Sequence, residues 1–136
     1  MKSSRQMVEE ATRAIETLSR AEAATLLDNP DVVFVDIREP REIERDGAIP
    51  GAFNAPRGML EFWVDPESPY HKPVFASGKR FVFYCASAWR SSLATLVVQT
   101  MGLPRVCQLD GGFSAWKADG LPMAAPTADA KAKRAL

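Results

Sequence analysis

The sequence predicts an α/β domain in which a parallel sheet is covered by helices on both faces. Three observations carry this. Apolar runs recur at Val32-Val33-Phe34-Val35, Phe81-Val82-Phe83-Tyr84 and Val106-Cys107-Gln108-Leu109. They are continuous rather than alternating, as in strands buried on both faces. Helix-forming stretches stand between them, and alternation of strand and helix implies a parallel sheet. The 136 residues suit one domain with a single core.

Taken in order, residues 5–14 place Met7, Ala11 and Ala14 on one face of a short helix. Ser19 and Glu22 have the spacing of a capping box, so a helix is expected from about 20 to 27, stopped at Asn29-Pro30. After the strand at 32–35 comes Asp36, and Pro40 opens a helix over 40–46 that Gly47 ends. Phe53-Asn54-Ala55 reads as a short strand. Residues 57–64 read as a helix with Leu60 and Trp63 inward. Three prolines and a glycine make 65–79 a surface excursion with one helical turn. The strand at 81–84 leads into Cys85, and 91–101 reads as a helix stopped by Gly102 and Pro104. The strand at 106–109 turns at Asp110-Gly111-Gly112 into a short helix over 113–118, with Trp116 on its apolar side. The chain divides into a helical extension, 1–17, a domain, 18–123, and a tail without long apolar side chains, 124–136, expected to be disordered.

Composition excludes several classes. The formal net charge is zero, so nothing recruits nucleic acid or an anionic membrane. No stretch has the apolar length of a membrane span, and the polar N-terminus lacks the apolar region of a secretory signal. Two cysteines, Cys85 and Cys107, make no disulfide framework and read as reduced thiols of a cytoplasmic protein. With one histidine, His71, no histidine-rich metal site forms, and no cofactor is implied.

The residues that carry chemistry follow the strand at 81–84. Cys85 opens a loop and Arg90, five positions on, closes it before a helix begins. Active sites of parallel sheets lie at the carboxyl ends of strands, where Cys85 and Asp36 both fall. If the loop curls, the backbone N–H groups of Ala86, Ser87, Ala88, Trp89, Arg90 and Ser91 form an anion-binding nest, reinforced by the positive end of the helix. Nest, helix and Arg90 together favour the thiolate, so Cys85 is activated without a histidine base. A buried core cysteine is the plainer alternative. The small residues Ala86-Ser87-Ala88 and the arginine argue against it.

Five segments in this order resemble a rhodanese-like (sulfurtransferase) domain over residues 18–123. They are Val35 to Pro40, Gly47 to Ala52, Tyr84-Cys85 through Arg90-Ser91, Leu109 to Phe113 with Trp116, and Gly120 to Pro122. The resemblance implies a three-layer α/β/α fold with a central parallel sheet of about five strands. It also implies a persulfide on Cys85. The Cys-x4-Arg spacing resembles the sulfur-transferring members. Related phosphatases and arsenate reductases have a loop one residue longer. The expected reaction takes a sulfane sulfur from a small donor such as thiosulfate and passes it to cyanide in an assay, or to a thiol or protein acceptor in the cell. A second reading is a binding or regulatory module without chemistry. The third, a phosphatase or arsenate reductase, fits less well.

Two departures stand out. Many relatives have glycine where this chain has Ala88. If the position needs positive φ, alanine costs about 1 kcal/mol. Relatives often have histidine in place of Ala48. Among the supporting residues, Asp36 is read as a brace accepting backbone or arginine hydrogen bonds. Arg38 and Glu39 are expected to pair with the loop or with each other. Arg90 is read as an anion ligand rather than a salt bridge at the helix start. Phe62, Trp63 and Tyr70 could lid the site, Trp63 being more readily core, and His71 is read as a surface residue. Cys107 is read as buried, a resolving thiol only if it approaches Cys85. The sequence leaves the oligomeric state open.

Overall fold

A computed structural model describes residues 1–127. The elements are α1 (Ser4–Ala14), β1 (Thr17–Leu18), α2 (Arg20–Ala24), β2 (Val32–Asp36), α3 (Pro40–Asp46), β3 (Phe53–Asn54), α4 (Leu60–Val64), β4 (Arg80–Tyr84), α5 (Trp89–Thr100), β5 (Val106–Leu109) and α6 (Gly112–Ala118). Single 3-10 turns lie at Arg57–Met59 and Pro73–Ala76. The five strands form one sheet in the order β1-β5-β4-β2-β3, with every pairing parallel. The expected three layers and strand number are present.

The sheet divides the core in two. On one face Val35, Phe81 and Phe83 meet Leu60 and Val64 of α4, Ala94 and Val98 of α5, and Phe75. On the other, Phe34, Val82, Tyr84, Cys107 and Leu109 meet Ala23 of α2 and Phe113 and Trp116 of α6. Adjacent residues of a strand point to opposite faces. Cys85 therefore falls with Phe81 and Phe83, and Cys107 falls on the other side. The two thiols belong to separate cores, which removes Cys107 as a resolving partner.

Differences from the sequence reading have local causes. β1 was not expected, because two residues carry no periodicity. It exists through its pairing with β5, Leu18 opposite Leu109. Regular α-helix in α2 ends at Ala24, because Leu26 N–H donates to Ala23 O and the Thr25 hydroxyl donates to Glu22 O, tightening the last turn. α5 begins two residues earlier than expected, at Trp89, because the loop reverses at Ala88. Leu60 is buried as expected, but Trp63 is half-buried, its ring edge-on to Phe53 at 6.0 Å. His71 is also half-buried and hydrogen bonds the Trp63 carbonyl through Nδ1 at 3.0 Å. Of the segment read as a tail, Ala124 bridges Ala48 in an antiparallel pair and Thr127 N–H donates to Glu44 O. Residues 128–136 lie outside the described residues.

α6 anchors the second core. Trp116 is fully buried, stands edge-on to Phe34 with centroids 6.3 Å apart, and donates its indole N–H to Pro122 O at 2.7 Å. Trp116→Ala is expected to cost about 3–5 kcal/mol in urea unfolding, with the m-value unchanged.

Candidate functional site

The site starts at the carboxyl end of β4. Tyr84 O accepts from Ile37 N–H, the last rung of the pairing with the β2 segment, and the chain then leaves the sheet at Cys85. Two carbonyls of the loop are committed elsewhere. Cys85 O accepts from Phe113 N–H at 2.8 Å, and Ala86 O accepts from Ser114 N–H at 3.0 Å, both in the first turn of α6. This approach requires glycine. A Cβ on Gly112, φ +66°, would lie 2.6 Å from Ala86 O and 2.7 Å from Cys85 O. The loop closes at Ala88, whose φ of 72° and ψ of 0° put an alanine in the left-handed region at the cap of α5. That is the conformation in which the missing glycine matters.

With these two carbonyls turned to α6, the loop presents its donors. Among the described residues, none accepts a hydrogen bond from the backbone N–H groups of Ala86, Ser87, Ala88, Trp89 and Arg90. Successive free N–H groups at a turn leading into a helix form an anion cradle. Cys85 is fully buried at its base. Its thiol donates to Ser91 Oγ at 3.6 Å, and Ser91 Oγ donates to Gln108 Oε1 on β5 at 2.9 Å. Ser87 and Trp89 are exposed on the rim.

Arg90 is placed differently from the sequence reading. Its guanidinium forks onto Glu42 of α3, with both N···O distances 2.8 Å. The salt bridge therefore takes the arginine that was expected to bind an anion directly. Glu42 was not anticipated. As the third residue of α3 it also accepts from Glu39 N–H at 2.9 Å, tying the helix start to the loop. The Arg90 hydrogen bonds pull the Glu42 carboxyl down to about 2, against the opposing effect of burial. Glu42 is the first cause holding Arg90 charged, and the Cys85 sulfur adds to it in smaller measure.

Asp36 and Arg38 form a second, deeper pair, each side chain 1% exposed. Asp36 accepts from Arg38 Nε at 3.0 Å, from Nη2 at 2.7 Å and from the Arg38 backbone N–H at 3.0 Å. Arg38 also donates to Gly47 O at 2.8 Å and lies over the Phe113 ring at 4.5 Å. Asp36 thus accepts backbone and arginine bonds as expected. Arg38 pairs with Asp36 rather than with the loop or Glu39, because its strand-end position turns it to the face of Tyr84 and α6. Burial raises the Tyr84 phenol, with Asp36 adding, so it stays protonated under Ile49 N–H. The structure brings together Cys85, Ala86 to Ser91, Glu42 and Gln108. Asp36 and Arg38 lie on the opposite face of the sheet, beside Tyr84 and Phe113, and Glu39 belongs to the start of α3. Phe62 and Tyr70 are exposed. A cavity of about 480 Å³ between Val64, Phe75, Met101 and Leu103 lies at the far end of α5, away from Cys85.

Gln108 and Ser92 were also missed. The signal for Gln108 was available: one carboxamide in a strand that is otherwise apolar.

A family model described as a rhodanese-like domain matches residues 19–119. A sulfurtransferase of Allochromatium vinosum is 39% identical over 101 residues, covering 74% of this chain and 86% of that one. The thiosulfate sulfurtransferase GlpE of Pseudoalteromonas translucida is 30% identical, covering 77% and 91%. Among solved structures, a Rhodopseudomonas palustris protein described as of unknown function and a possible tyrosine phosphatase superposes with TM-score 0.87 at 54% identity, covering 90% of this chain and 95% of that one. The polysulfide-sulfur transferase homodimer of Wolinella succinogenes superposes at 0.66 with 28% identity, covering 88% and 85%.

Two outcomes follow from the loop geometry. Gly112→Ala is expected to destabilise by about 2–4 kcal/mol, since both obstructing atoms are backbone, whereas Ala88→Gly gains up to about 1 kcal/mol. Equilibrium unfolding of both variants checks the pair. The Glu42 carboxyl is depressed, so its contribution is full above the ordinary glutamate value of 4.5 and is lost as pH falls through about 2. Thermal unfolding of Glu42→Gln between those limits should lack that part of the acid destabilisation, a small one because the pair is partly exposed.

Proposed function

The chain belongs to the rhodanese-like family, and from that premise we propose that it is a cytoplasmic sulfurtransferase that carries sulfane sulfur on Cys85. The carrying observation is the six-residue loop from Cys85 to Arg90, with the carbonyls of Cys85 and Ala86 bonded to α6 and, among the described residues, no acceptor on the N–H groups of Ala86 to Arg90. The Cys85 thiolate attacks the outer sulfur of a donor such as thiosulfate. The donor S–S bond breaks, sulfite leaves with the electron pair, and Cys85 becomes a persulfide anion. A nucleophilic acceptor then attacks the outer sulfur, and Cys85 returns as thiolate. With cyanide the product is thiocyanate; with a thiol or a protein cysteine it is a new persulfide. No outside oxidant or reductant is needed, because the sulfane sulfur itself carries the two oxidising equivalents from donor to acceptor, and the cycle is ping-pong.

The residues divide the work. The N–H groups of Ala86, Ser87, Ala88, Trp89 and Arg90 stabilise the anionic sulfur, a preorganised electrostatic contribution that needs no general base. Ser91 sits against the sulfur from inside. Arg90, neutralised by Glu42, holds the loop to α3 and lends the site little net charge. Asp36 and Arg38 keep the strand ends in place from the far face.

A second reading, phosphatase or arsenate reductase, draws on the description of the R. palustris relative as a possible tyrosine phosphatase. The Cys-x4-Arg spacing of this chain disfavours it, being one residue short of the loop that takes a tetrahedral oxyanion. Incubation with thiosulfate is expected to add about 32 Da, one sulfur atom, to the intact protein, and Cys85→Ser is expected to abolish the gain. No gain with any sulfane donor, together with turnover of p-nitrophenyl phosphate, would select the second reading.

A further inference from the structure

Gln108 is 2% exposed in a strand whose other residues, Val106, Cys107 and Leu109, are apolar. A buried carboxamide is costly unless hydrogen bonded, so its partners indicate its use. Oε1 accepts from Ser91 Oγ at 2.9 Å and from Ser92 Oγ at 3.1 Å, and Nε2 donates to Thr17 Oγ1 at 3.3 Å. Ser91 Oγ is the atom that receives the Cys85 thiol hydrogen at 3.6 Å. Ser92 Oγ has other neighbours as well: Ala88 O at 2.7 Å and Thr12 Oγ1 at 3.2 Å. The Thr12 hydroxyl hydrogen is directed at Val8 O at 2.7 Å.

The hydrogens can be counted. Each serine hydroxyl supplies one. With Cys85 as a thiol, its hydrogen goes to Ser91 and the Ser91 hydrogen goes to Gln108. With an anionic sulfur there is no thiol hydrogen, and the Ser91 hydroxyl must turn to the sulfur to stabilise it. That turn would orphan a buried carbonyl oxygen if Ser91 were its sole partner. Gln108 Oε1 keeps Ser92 instead. Ala88 O keeps the Ser92 backbone N–H at 3.1 Å. Every buried oxygen in the cluster therefore stays satisfied in both states.

We propose that Gln108 is a positioning residue for Cys85: it holds the Ser91 hydroxyl beside the sulfur and, with Ser92 as its second partner, releases the Ser91 hydrogen to the sulfur when the sulfur is anionic. This rests on the reading of Cys85 as the nucleophile. Without the carboxamide, nothing on β5 holds the Ser91 hydroxyl, whose one hydrogen can then turn away from the sulfur. The sulfur anion then loses its donor.

The test is a double-mutant cycle on the full chain with Gln108→Met, Ser91→Ala and the double variant. One readout is the rate of Cys85 alkylation by iodoacetamide, followed by mass spectrometry. The other is kcat and KM for sulfur transfer from thiosulfate to cyanide. Gln108→Met and Ser91→Ala are each expected to slow alkylation and kcat about tenfold, with KM within about twofold. Adding Gln108→Met to Ser91→Ala should cause no further loss, because the carboxamide acts through the hydroxyl. A general packing defect would slow both backgrounds. Ser92→Ala, a milder change, should slow both reactions about threefold, again in the presence of Ser91 alone. Wild-type rates in Gln108→Met or Ser92→Ala, or a further drop in the double variant, overturn the proposal. Alkylation gives its answer whether or not thiosulfate is turned over, so failure of the sulfurtransferase reading and failure of this proposal are separable.

Discussion

The hydrogen bonds from Phe113 and Ser114 N–H to the carbonyls of Cys85 and Ala86 set the direction of everything in the loop. A peptide unit has its carbonyl and N–H on opposite sides. Turning these carbonyls toward α6 therefore turns the donors away from it. The approach is so close that no side chain fits at Gly112. α5 then starts where Ala88 reverses the chain, and Ser91 and Ser92 reach β5. One helix, whose second residue lies 28 positions downstream of Cys85, thereby shapes a turn it does not belong to.

The remaining contacts hold this arrangement from two sides. Glu42 and Arg90 join α3 to the start of α5 at the surface. Asp36 and Arg38 join the end of β2 to Gly47 and the rings of Tyr84 and Phe113 beneath it. A buried ion pair is a poor source of net stability, because desolvating two charges cancels most of their attraction. Its five directed donors make Arg38 well suited to fixing geometry instead.

The architecture was legible because strands buried on both faces leave continuous apolar runs. β2, β4 and β5 each did so. The loop was legible from Cys85 and Arg90, and the importance of Ala88 from the alanine itself. β1 was not, since two residues become a strand through their neighbour on β5 alone. Glu42 was hidden because an acidic residue in the first turn of a helix is ordinary, and its partner is 48 positions away. The Arg90 salt bridge was hidden for the same reason: the sequence displays the charge and conceals the carboxylate that meets it.

The sheet keeps Cys85 and Cys107 in different cores, and burial pushes the Cys107 thiol up to about 11. A sulfur atom held on Cys85 would consequently have no internal exit. It could not be expelled by forming a disulfide within the chain, as in carriers with two facing thiols. The lifetime of such a loaded state would be governed by the concentration of outside acceptors, making the protein a reservoir when they are scarce and a relay when they are abundant.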